Sequence, residues 1–401
     1  LESEEAPSGP VGDDAESCPG SFPRHACPGE LPDLSGHHSM MVNVFKGDVS
    51  LYAKLRDRQT QLGVSLATCI KTGVDNPSHP MLMSVGAVAG DEYCYDVFRE
   101  LFDPIIRARH GEHAVGAGPH PFDLTPGKAV QRPIDPTGKY AISVRIRGHR
   151  SVSGLRFPPA CDRAERAEVE RALSKALLHV QDEDLRGVYY PLRDSSSYSP
   201  KPHGMSAEEE EDLQERNLLP LEPDSSVMLC SGLGRDWPEA RGVFAADSQK
   251  LVAWINEEDH LRLVSLQLGG DLQEAFDRLA RAMSAIDGNL SSDGHGFARS
   301  DRLGYLATCP SNLGTGLRVN VLLRLPLLSL HPRFQETCHN LNLQACSGIH
   351  SATGELLEPG LCDLASRCRF GVSEVELVNS VVEGCARLVE MEQALERGEE
   401  V

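Results

Sequence analysis

Two β-type runs separated by only five residues constrain the fold of this chain more than any other feature. Residues 251–255 (LVAWI) and 261–268 (LRLVSLQL) are apolar or alternating, and the polar segment 256–260 (NEEDH) connects them. So short a connection predicts an antiparallel hairpin that carries acids at its tip. Apolar runs predict further strands at 227–230, 304–308 and 317–325.

Several segments begin with a pattern that caps helices, in which Asp or Ser is followed three residues later by Glu. These starts are Asp162, Ser206, Asp271 and Ser373. Apolar residues recur at spacings of three and four after Asp271 and Ser373, as on the buried face of a helix. The acids at 208–212 fit the first turn of a helix, where they complement its dipole, better than a metal site. The pattern therefore predicts helices packed on a large antiparallel sheet.

The amino-terminal part of the chain has a different character. Residues 31–112 have helical periodicity and short loops, which predicts a small all-helical domain. The Gly, Pro and His of 113–136 predict a linker, and 137–401 would form the larger domain. Residues 1–30 are rich in Glu, Pro, Gly and Ser, so we expect them to be disordered. The predicted class is α+β: a small helical N-terminal domain plus a larger domain with an antiparallel β-sheet flanked by helices.

Charge and cysteine content exclude several kinds of partner. The formal net charge is −20 over 401 residues, and such a field repels the phosphates of nucleic acid and anionic lipid. The sequence has no apolar run long enough to span a membrane. We expect neither nucleic acid nor membrane as a partner, so any phosphate site must be a local collection of arginines. The cysteines include no CxxC pair, which favours reduced thiols.

A thiol motif stands between two of the predicted strands, at 309–318 (CPSNLGTGLR). It places Cys309 on a turn, with Arg318 just beyond it. A cysteine among cations and hydroxyl donors can have a lowered pKa and carry charge near neutrality. A buried cysteine in a Gly-rich turn would look the same, and composition by itself favours that structural interpretation.

Paired acids and paired arginines give two further candidate sites. Acids at a hairpin tip such as 256–260 are usually solvated, but close carboxylates can also raise each other's pKa and bind or deprotonate a guanidinium. On a strand at 143–150 (SVRIRGHR), alternation would put Arg145 and Arg147 on one face. Two such side chains can grip phosphate oxygens, although a surface ladder of ion pairs would give the same pattern.

These three motifs resemble the signatures of the phosphagen (guanidino) kinases. Ser311, which follows the Cys-Pro pair, gives the thiol motif the form found in creatine kinases, to which the chain is most similar. Segments in the order expected for the family also occur at 73–79, 86–106, 231–242 and 366–376. The resemblance extends from residue 31 to the carboxyl end.

The resemblance implies an ATP:guanidino phosphotransferase that moves the γ-phosphoryl group of ATP reversibly to a guanidino acceptor, with creatine as the expected acceptor. It implies ATP or ADP and Mg²⁺ as cofactors, with the metal held mainly by nucleotide and water and by no protein ligand. Residues 31–112 would bind the guanidino substrate, and 137–401 would bind ATP and catalyse the transfer. A homodimer is also expected.

The resemblance implies roles for individual residues as well. Glu258 would orient the guanidinium and act as the base, while Cys309 would contact the guanidinium as a thiolate whose charge Ser311 supports. The implied phosphate-binding residues are Arg145, Arg147, Arg262 and Arg318, of which Arg318 is also catalytic. Leu82 and Val85 are implied as a small apolar pocket that selects the acceptor.

Several positions depart from the family pattern. Gly148 and His149 stand where the family has threonine and glycine, which adds a bulky side chain beside the site. Cys346 takes the place of a phosphate-binding arginine, in the segment 343–354 that is expected to close over the substrates. Asn217 replaces a nucleotide-contacting histidine. The alternative function is therefore that of a catalytically impaired homologue that acts as a binding or scaffolding protein.

Two other groups of related kinases fit the sequence less well. Bacterial-type protein arginine kinases share the catalytic domain, but they lack the helical segment 31–110. Mitochondrial creatine kinases are usually basic and end in lysines, whereas this acidic chain ends in Glu399, Glu400 and Val401. We therefore expect a cytoplasmic protein, and a mitochondrial location stays open because the chain begins with Leu1.

Overall fold

An eight-stranded antiparallel sheet forms the centre of the larger domain. The structure is a computed structural model, and it describes residues 21–81, 83–112, 115–116, 118–129, 132–346 and 356–400. The strands are β1 (Ala141–Arg150), β2 (Gly187–Pro191), β3 (Gly242–Ala246), β4 (Leu251–Ile255), β5 (Leu261–Leu268), β6 (Arg299–Ser300), β7 (Gly304–Tyr305), β8 (Leu317–Arg324), β9 (Leu343–Cys346) and β10 (Leu361–Ser366). The sheet order is β2-β3-β4-β5-β1-β8-β10-β9, and β6 and β7 form a separate ribbon.

Helices precede the sheet and also cover one of its faces. The preceding helices are α1 (Met40–Gly47), α2 (Leu51–Leu55), α3 (Leu66–Asp75), α4 (Cys94–Val97) and α5 (Arg99–His110). Those of the larger domain are α6 (Arg163–Leu178), α7 (Ala207–Glu215), α8 (Ser226–Cys230), α9 (Leu272–Ser292), α10 (Phe334–Asn340) and α11 (Glu374–Glu396). The predicted α+β class is confirmed. Of the helices in the described ranges, none combines the length and apolar character that crossing a membrane requires.

Capping hydrogen bonds confirm the predicted helix starts. At α6, α7 and α11 the side chains of Asp162, Ser206 and Ser373 accept from the backbone of a Glu in the first turn, and that Glu bonds back to the cap. At α9, Asp271 accepts from the Glu274 N–H at 3.0 Å. Each cap stabilises its helix by about 1 kcal/mol. The acidic run lies inside α7, as expected.

The two faces of the sheet differ. The face against α9 is apolar, whereas the other face is polar at β1, β8 and β10 and carries a smaller apolar cluster, with Val243, Val252 and Val264, at β3, β4 and β5. Val144 and Ile146 on β1 are buried in the core against α9, and burying a side chain of this size contributes about 2 kcal/mol. Gly148 faces the same helix, where a Cβ atom would lie only 2.0 Å from Cε of Met283. The residues that alternate with these point to the other side of the sheet, where the candidate site lies.

The strand predictions are confirmed in part. The hairpin forms between β4 and β5, with Ile255 opposite Leu261, and the run 317–325 contains β8. The prediction of a strand at 227–230 is wrong, because these residues belong to α8, whose first turn is capped by Ser225. A short apolar run is compatible with a strand or with a helix, and the cap at Ser225 favours the helix. Of 304–308, only the first two residues are in a strand.

The segment before α1 packs on the helical domain. Phe22 is 4% exposed, and its N–H donates to Asp75 Oδ1 at 2.7 Å. Lys71 Nζ donates to the Phe22 carbonyl at 2.6 Å. The prediction of disorder is therefore wrong for 21–30, because an aromatic anchor and backbone hydrogen bonds offset the ordering entropy. Residues 1–20 lie outside the described residues.

The segment between α5 and β1 is irregular where it is described, and it packs on the larger domain. Leu124 and Ile134 are buried in the core of that domain, and the Asp123 carbonyl accepts from the Val375 N–H of α11 at 3.2 Å. The assignment of 113–136 as a linker stays a prediction.

An ion pair joins the β6–β7 ribbon to α5. Arg302 Nη1 donates to Asp103 Oδ1 at 2.6 Å, and its Nη2 donates to the Tyr95 carbonyl at 3.1 Å. Asp103 is mostly buried and also pairs with Arg99, at 2.8 Å. Replacing Arg302 by methionine should lower the free energy of unfolding by about 2 kcal/mol, because a mostly buried carboxylate loses one of its cations. Chemical denaturation measures this loss.

The matched control for this prediction is an ion pair on the surface. Arg333 Nε lies 3.2 Å from Glu336 Oε2, and both side chains are exposed. Arg333→Met should lower the free energy of unfolding by less than about 1 kcal/mol. Equal losses in the two variants would show that the contact of Arg302 with α5 stabilises the fold no more than an exposed ion pair does.

Candidate active site

Strand register gathers the predicted arginines on the face of the sheet that points away from α9. Arg147 on β1 lies directly opposite Arg318 on β8, and Arg145 lies two residues away on the same face of β1. Arg262 on β5 is opposite His149 of β1. Because directly opposed residues share a face, these guanidinium groups all lie on one side of the sheet. The structure thus brings the predicted phosphate-binding set together.

The clustered arginines repel one another. Burial, together with the charges of Arg145, Arg262 and Arg318, lowers the pKa of Arg147 to about 9. Burial also lowers the pKa of Arg145, while Asp363, whose Oδ2 lies 3.8 Å from Arg145 Nη2, raises it. A ligand with several negative charges would relieve this repulsion, so the cluster is suited to phosphate groups.

Polar and aromatic neighbours fix the orientation of individual arginines. Arg262 Nη1 donates to Glu257 Oε1 at 3.0 Å, and its guanidinium lies 5.0 Å from the centre of the Trp254 ring. Arg147 Nη2 donates to Asn320 Oδ1 at 3.0 Å. The side chains of Arg147 and Arg262 are therefore held before a ligand arrives, which lowers the entropy cost of binding one.

Asn320 and Asp363 were missed by the sequence analysis. Asn320 Nδ2 donates to Asp363 Oδ1 at 2.7 Å, so an amide connects Arg147 to the carboxylate beside Arg145. Asp363 interrupts the otherwise apolar or small residues of β10 and is fully buried. A buried acid inside such a strand usually has a partner. The Asp in this otherwise apolar run was therefore a sequence signal that could have indicated a site.

A cavity of about 590 Å³ adjoins the arginine cluster. Its lining includes Ser143, Arg145, Lys250, Gln267, Leu322 and Asp363. Apolar walls with a few polar groups, at this volume, are typical of a site for a small organic molecule.

The acid Glu258 at the hairpin tip lies beside this cluster, where it meets the turn that bears Cys309, which we call the thiol turn. Asn312, three residues after Cys309, donates from Nδ2 to Glu258 Oε1 at 3.2 Å. The Thr308 N–H donates to Asp259 Oδ1 at 2.6 Å. Two neighbouring acids of the hairpin tip therefore bond to residues on both sides of the thiol, and Glu258 and Cys309 share one site.

The surroundings of Glu258 suit it to accept a proton. Burial raises the pKa of its carboxyl, and the nearby acids Asp259 and Glu257 add to the rise, whereas His149 and Arg262 oppose it. A carboxylate with a raised pKa is a better base near neutral pH than an exposed one. Its hydrogen bond from Asn312 fixes its direction.

The thiol behaves differently from the sequence-based expectation. Burial, followed by the carboxylate of Glu258, raises the pKa of Cys309 to about 11, although Ser311 lowers it. The distance from Cys309 Sγ to Ser311 Oγ is 3.0 Å. The expectation of a lowered pKa is wrong for the protein by itself, because burial and the charge of Glu258 outweigh the hydrogen bonds of Ser311. A cation placed between Glu258 and Cys309 would favour the thiolate.

The helical domain holds the thiol turn in place. The Ala89 N–H donates to the Thr308 carbonyl at 2.8 Å, and His110 Nε2 bonds to the Pro310 carbonyl at 2.8 Å. Burial lowers the pKa of His110 to about 4, so its ring is neutral at physiological pH. The site therefore lies where the helical domain meets the sheet.

Of the two residues predicted to form an apolar pocket, Val85 lies within the described residues and Leu82 does not. Val85 is half-buried in the helical domain, where its carbonyl accepts from the Met41 N–H at 3.1 Å. Leu82 lies outside the described residues, between Met81 and Met83, which are exposed. A role for Leu82 and Val85 in selecting the acceptor stays a prediction.

Cys346, which departs from the family pattern, lies at the arginine cluster. It ends β9 opposite Asp363, and its Sγ is 4.0 Å from Arg318 Nη2. Burial raises the pKa of this thiol. The part of the expected lid at 347–355 lies outside the described residues. Asn217 is exposed on the turn after α7.

Arg369 is a further residue that the motif analysis did not single out. It is buried after the end of β10, and its Nη1 donates to Asn312 Oδ1 at 2.8 Å. Burial lowers its pKa to about 10. A buried chain thus runs from Arg369 through Asn312 to Glu258. Strand alternation could not reveal it, because Arg369 lies in a loop.

Comparison with known proteins identifies the family to which the chain belongs. The family model "ATP:guanido phosphotransferase, N-terminal domain" matches 35–107, and "ATP:guanido phosphotransferase, C-terminal catalytic domain" matches 168–395. Creatine kinase B-type of Gallus gallus is 43% identical over 374 residues, which are 93% of each chain. A crystal structure of lombricine kinase has a TM-score of 0.83 and 36% identity, covering 92% of this chain and 96% of that one. The duplicated taurocyamine kinase of Schistosoma mansoni has a TM-score of 0.77 and 31% identity, covering 90% and 47%.

These matches define a phosphotransferase that acts on guanidino compounds. The chain belongs to the ATP:guanido phosphotransferase family. The resemblance to phosphagen kinases, the fold class and the reaction class predicted from the sequence are thereby confirmed.

Proposed function

We propose that this chain transfers the γ-phosphoryl group of ATP reversibly to a guanidino nitrogen of creatine, with Mg²⁺ bound to the nucleotide. The observation that carries the proposal is the convergence of an arginine cluster with Glu258 and Cys309 at one site. The choice of creatine rests on the similarity to creatine kinases such as the B-type of Gallus gallus.

On the nucleotide side, the sheet supplies charge and the cavity supplies shape. The base and ribose of ATP would occupy the cavity of about 590 Å³ beside Arg145. The phosphates would bind the cluster of Arg145, Arg147, Arg262 and Arg318. Phosphoryl transfer depends mainly on positioning and on neutralising the equatorial oxygens, which arginines held in advance can do.

On the acceptor side, Glu258 and Cys309 would hold the two edges of the guanidinium. Glu258 takes a proton from the guanidino nitrogen, this nitrogen bonds to the γ-phosphorus, and the bond from phosphorus to the ADP oxygen breaks. The substrate cation would favour the thiolate of Cys309, which Ser311 supports by hydrogen bonding. The helical domain, residues 31–112, would provide the specificity pocket that includes Leu82 and Val85.

Magnesium would act as a partner of the nucleotide. Mg²⁺ usually keeps several water ligands and binds phosphate oxygens. The carboxylates nearest the arginines, Asp363 and Glu257, are engaged by Asn320 and Arg262. This engagement supports the proposal that nucleotide and water hold the metal, which would neutralise part of the phosphate charge.

Acceptor profiling of the purified full chain tests the proposal. A coupled assay with ATP, Mg²⁺ and creatine, arginine, glycocyamine or taurocyamine should show the highest kcat/KM with creatine. Faster turnover with another acceptor would overturn the choice of creatine and leave the reaction class intact. A folded chain that binds ADP and turns over none of them would support the impaired, scaffolding alternative.

We also propose a cytoplasmic homodimer. The free cysteines in the described part of the chain fit a reducing compartment. The exposed apolar side chains of Val227 and Leu229 on α8, a helix that contacts α3, offer surface for a second copy. Light scattering should give twice the chain mass of 43.6 kDa, and a monomeric mass would refute the dimer.

A further inference from the structure

His149 forms a buried pair with the hairpin acid next to Glu258. Its Nδ1 lies 3.0 Å from Asp259 Oδ2, and the side chains are 6% and 0% exposed. His149 is two residues after Arg147 on β1, so it lies on the same face of the sheet as the arginines. The pair therefore connects the arginine-bearing strand to the hairpin tip.

Asp259 carries this connection on to the thiol turn. Its second oxygen, Oδ1, accepts from the Thr308 N–H at 2.6 Å, and Thr308 precedes Cys309. One buried carboxylate thus touches three elements: β1 through His149, the hairpin tip to which it belongs, and the turn that bears the thiol. A carboxylate in such a place costs several kcal/mol of desolvation unless it is paired.

The charged and titratable groups around this pair lie on every element packed against it. They are Glu257 and Glu258 at the hairpin tip, Arg262 on β5, Cys309 on the thiol turn, Tyr95 on α4, Arg318 on β8, and Arg147 and Arg150 on β1. His260, the next residue along the hairpin, also interacts with the charge of Asp259, but its hydrogen bonds are from the Val152 N–H and with the Arg156 carbonyl.

We propose that His149 is a positioning residue for the transfer reaction, which fixes the hairpin tip through Asp259 and places a compensating positive charge beside Glu258. The inference rests on the proposed function and extends it, because it identifies a residue that controls the protonation of the base, Glu258. Burial raises the pKa of Asp259, but the hydrogen bond and the charge of His149 outweigh it, so the pKa lies below its usual value. Without the charge of His149, Glu258 would share a poorly solvated region with an uncompensated carboxylate and would hold its proton to higher pH.

The direction of the effect follows from the groups around Glu258. Burial and the acids Asp259 and Glu257 raise the pKa of Glu258, and His149 is the first of the groups that lower it. Glu258 must be deprotonated to accept the guanidino proton. Loss of the positive charge at position 149 should therefore move the acid limb of the activity profile to higher pH.

The first test measures Glu258 directly, without turnover. The full chain is labelled with carboxyl-¹³C glutamate, and the Glu258 signal is assigned by its absence in Glu258→Gln. In His149→Gln, which keeps a hydrogen-bond donor and removes the charge, the titration midpoint of Glu258 should rise by about half a pH unit or more. An unchanged midpoint would overturn the inference, because a merely structural histidine would not move it.

The second test uses the pH dependence of kcat/KM with creatine. In His149→Gln the acid limb should shift upward by the same amount as the NMR midpoint. His260→Gln is the matched control: burial lowers the pKa of His260 to about 4, so it is neutral near pH 7, and its loss should destabilise the fold without moving the limb. Equal shifts in both variants would contradict a specific role for His149.

The two tests separate this inference from the proposed function. A raised NMR midpoint in a chain that phosphorylates none of the guanidino acceptors would sustain the role of His149 and refute the enzyme. Turnover of creatine with identical midpoints in wild type and His149→Gln would sustain the enzyme and refute the role of His149.

Discussion

Replacing Glu258 by glutamine should lower kcat for phosphoryl transfer by about a thousandfold and leave the affinity for ADP within about threefold. Glutamine keeps the size of the side chain and its hydrogen bond with Asn312, but it can neither accept the guanidino proton nor balance the charge of the guanidinium. The arginine cluster is untouched by this change. Steady-state kinetics with the preferred acceptor, together with ADP titration, measures both quantities.

Glu257 provides the control for this prediction, because it is the same residue type one position away. Its carboxylate pairs with Arg262 at 3.0 Å, so Glu257→Gln removes the counter-charge of a phosphate-binding arginine. We expect it to change the KM for nucleotide and to lower kcat by less than about tenfold. Equal losses of kcat in both variants, or a loss of ADP binding in Glu258→Gln, would show that Glu258 acts on the fold of the hairpin tip.

Local sequence signals predicted those parts of the fold that local interactions determine. The hairpin of β4 and β5 follows from two apolar runs and a short polar connection, and the caps of α6 and α11 follow from an acid or hydroxyl in front of a Glu. The prediction failed at 227–230, where a short run with no periodicity could be strand or helix. It also did not find β2, β3, β9 and β10, short strands whose stability comes from pairing with neighbours.

The site was predictable to the extent that it depends on alternation and family motifs. Alternation placed Arg145 and Arg147 on one face, and the resemblance pointed to Glu258 and Cys309. The raised pKa of Cys309 could not be predicted, because burial and the proximity of Glu258 arise only when the hairpin meets the thiol turn. The contact between His149 and Asp259 likewise depends on the register of β1 against β5.

Replacing Cys346 by arginine should raise kcat by about a hundredfold. Cys346 ends β9 opposite Asp363, and its Sγ is 4.0 Å from Arg318 Nη2. Because burial raises the pKa of this thiol, it is neutral at physiological pH and offers no positive charge to a phosphate. An arginine that neutralises the migrating phosphoryl group can be worth on the order of three to five powers of ten in rate. In the proposed mechanism the neighbouring arginines and Mg²⁺ would supply part of that effect, so the expected gain is smaller.

Two companion variants separate charge and geometry from size at this position. Cys346→Lys supplies a point charge without the planar fork that binds two phosphate oxygens at once, so it should raise kcat less than Cys346→Arg does. Cys346→Met adds bulk without charge and should give no increase. If Cys346→Arg binds ADP and transfers no faster than wild type, the rate is not limited by phosphate neutralisation at the end of β9. The remaining arginines would then suffice, because Arg147 and Arg318 already face each other across adjacent strands where the γ-phosphate would lie.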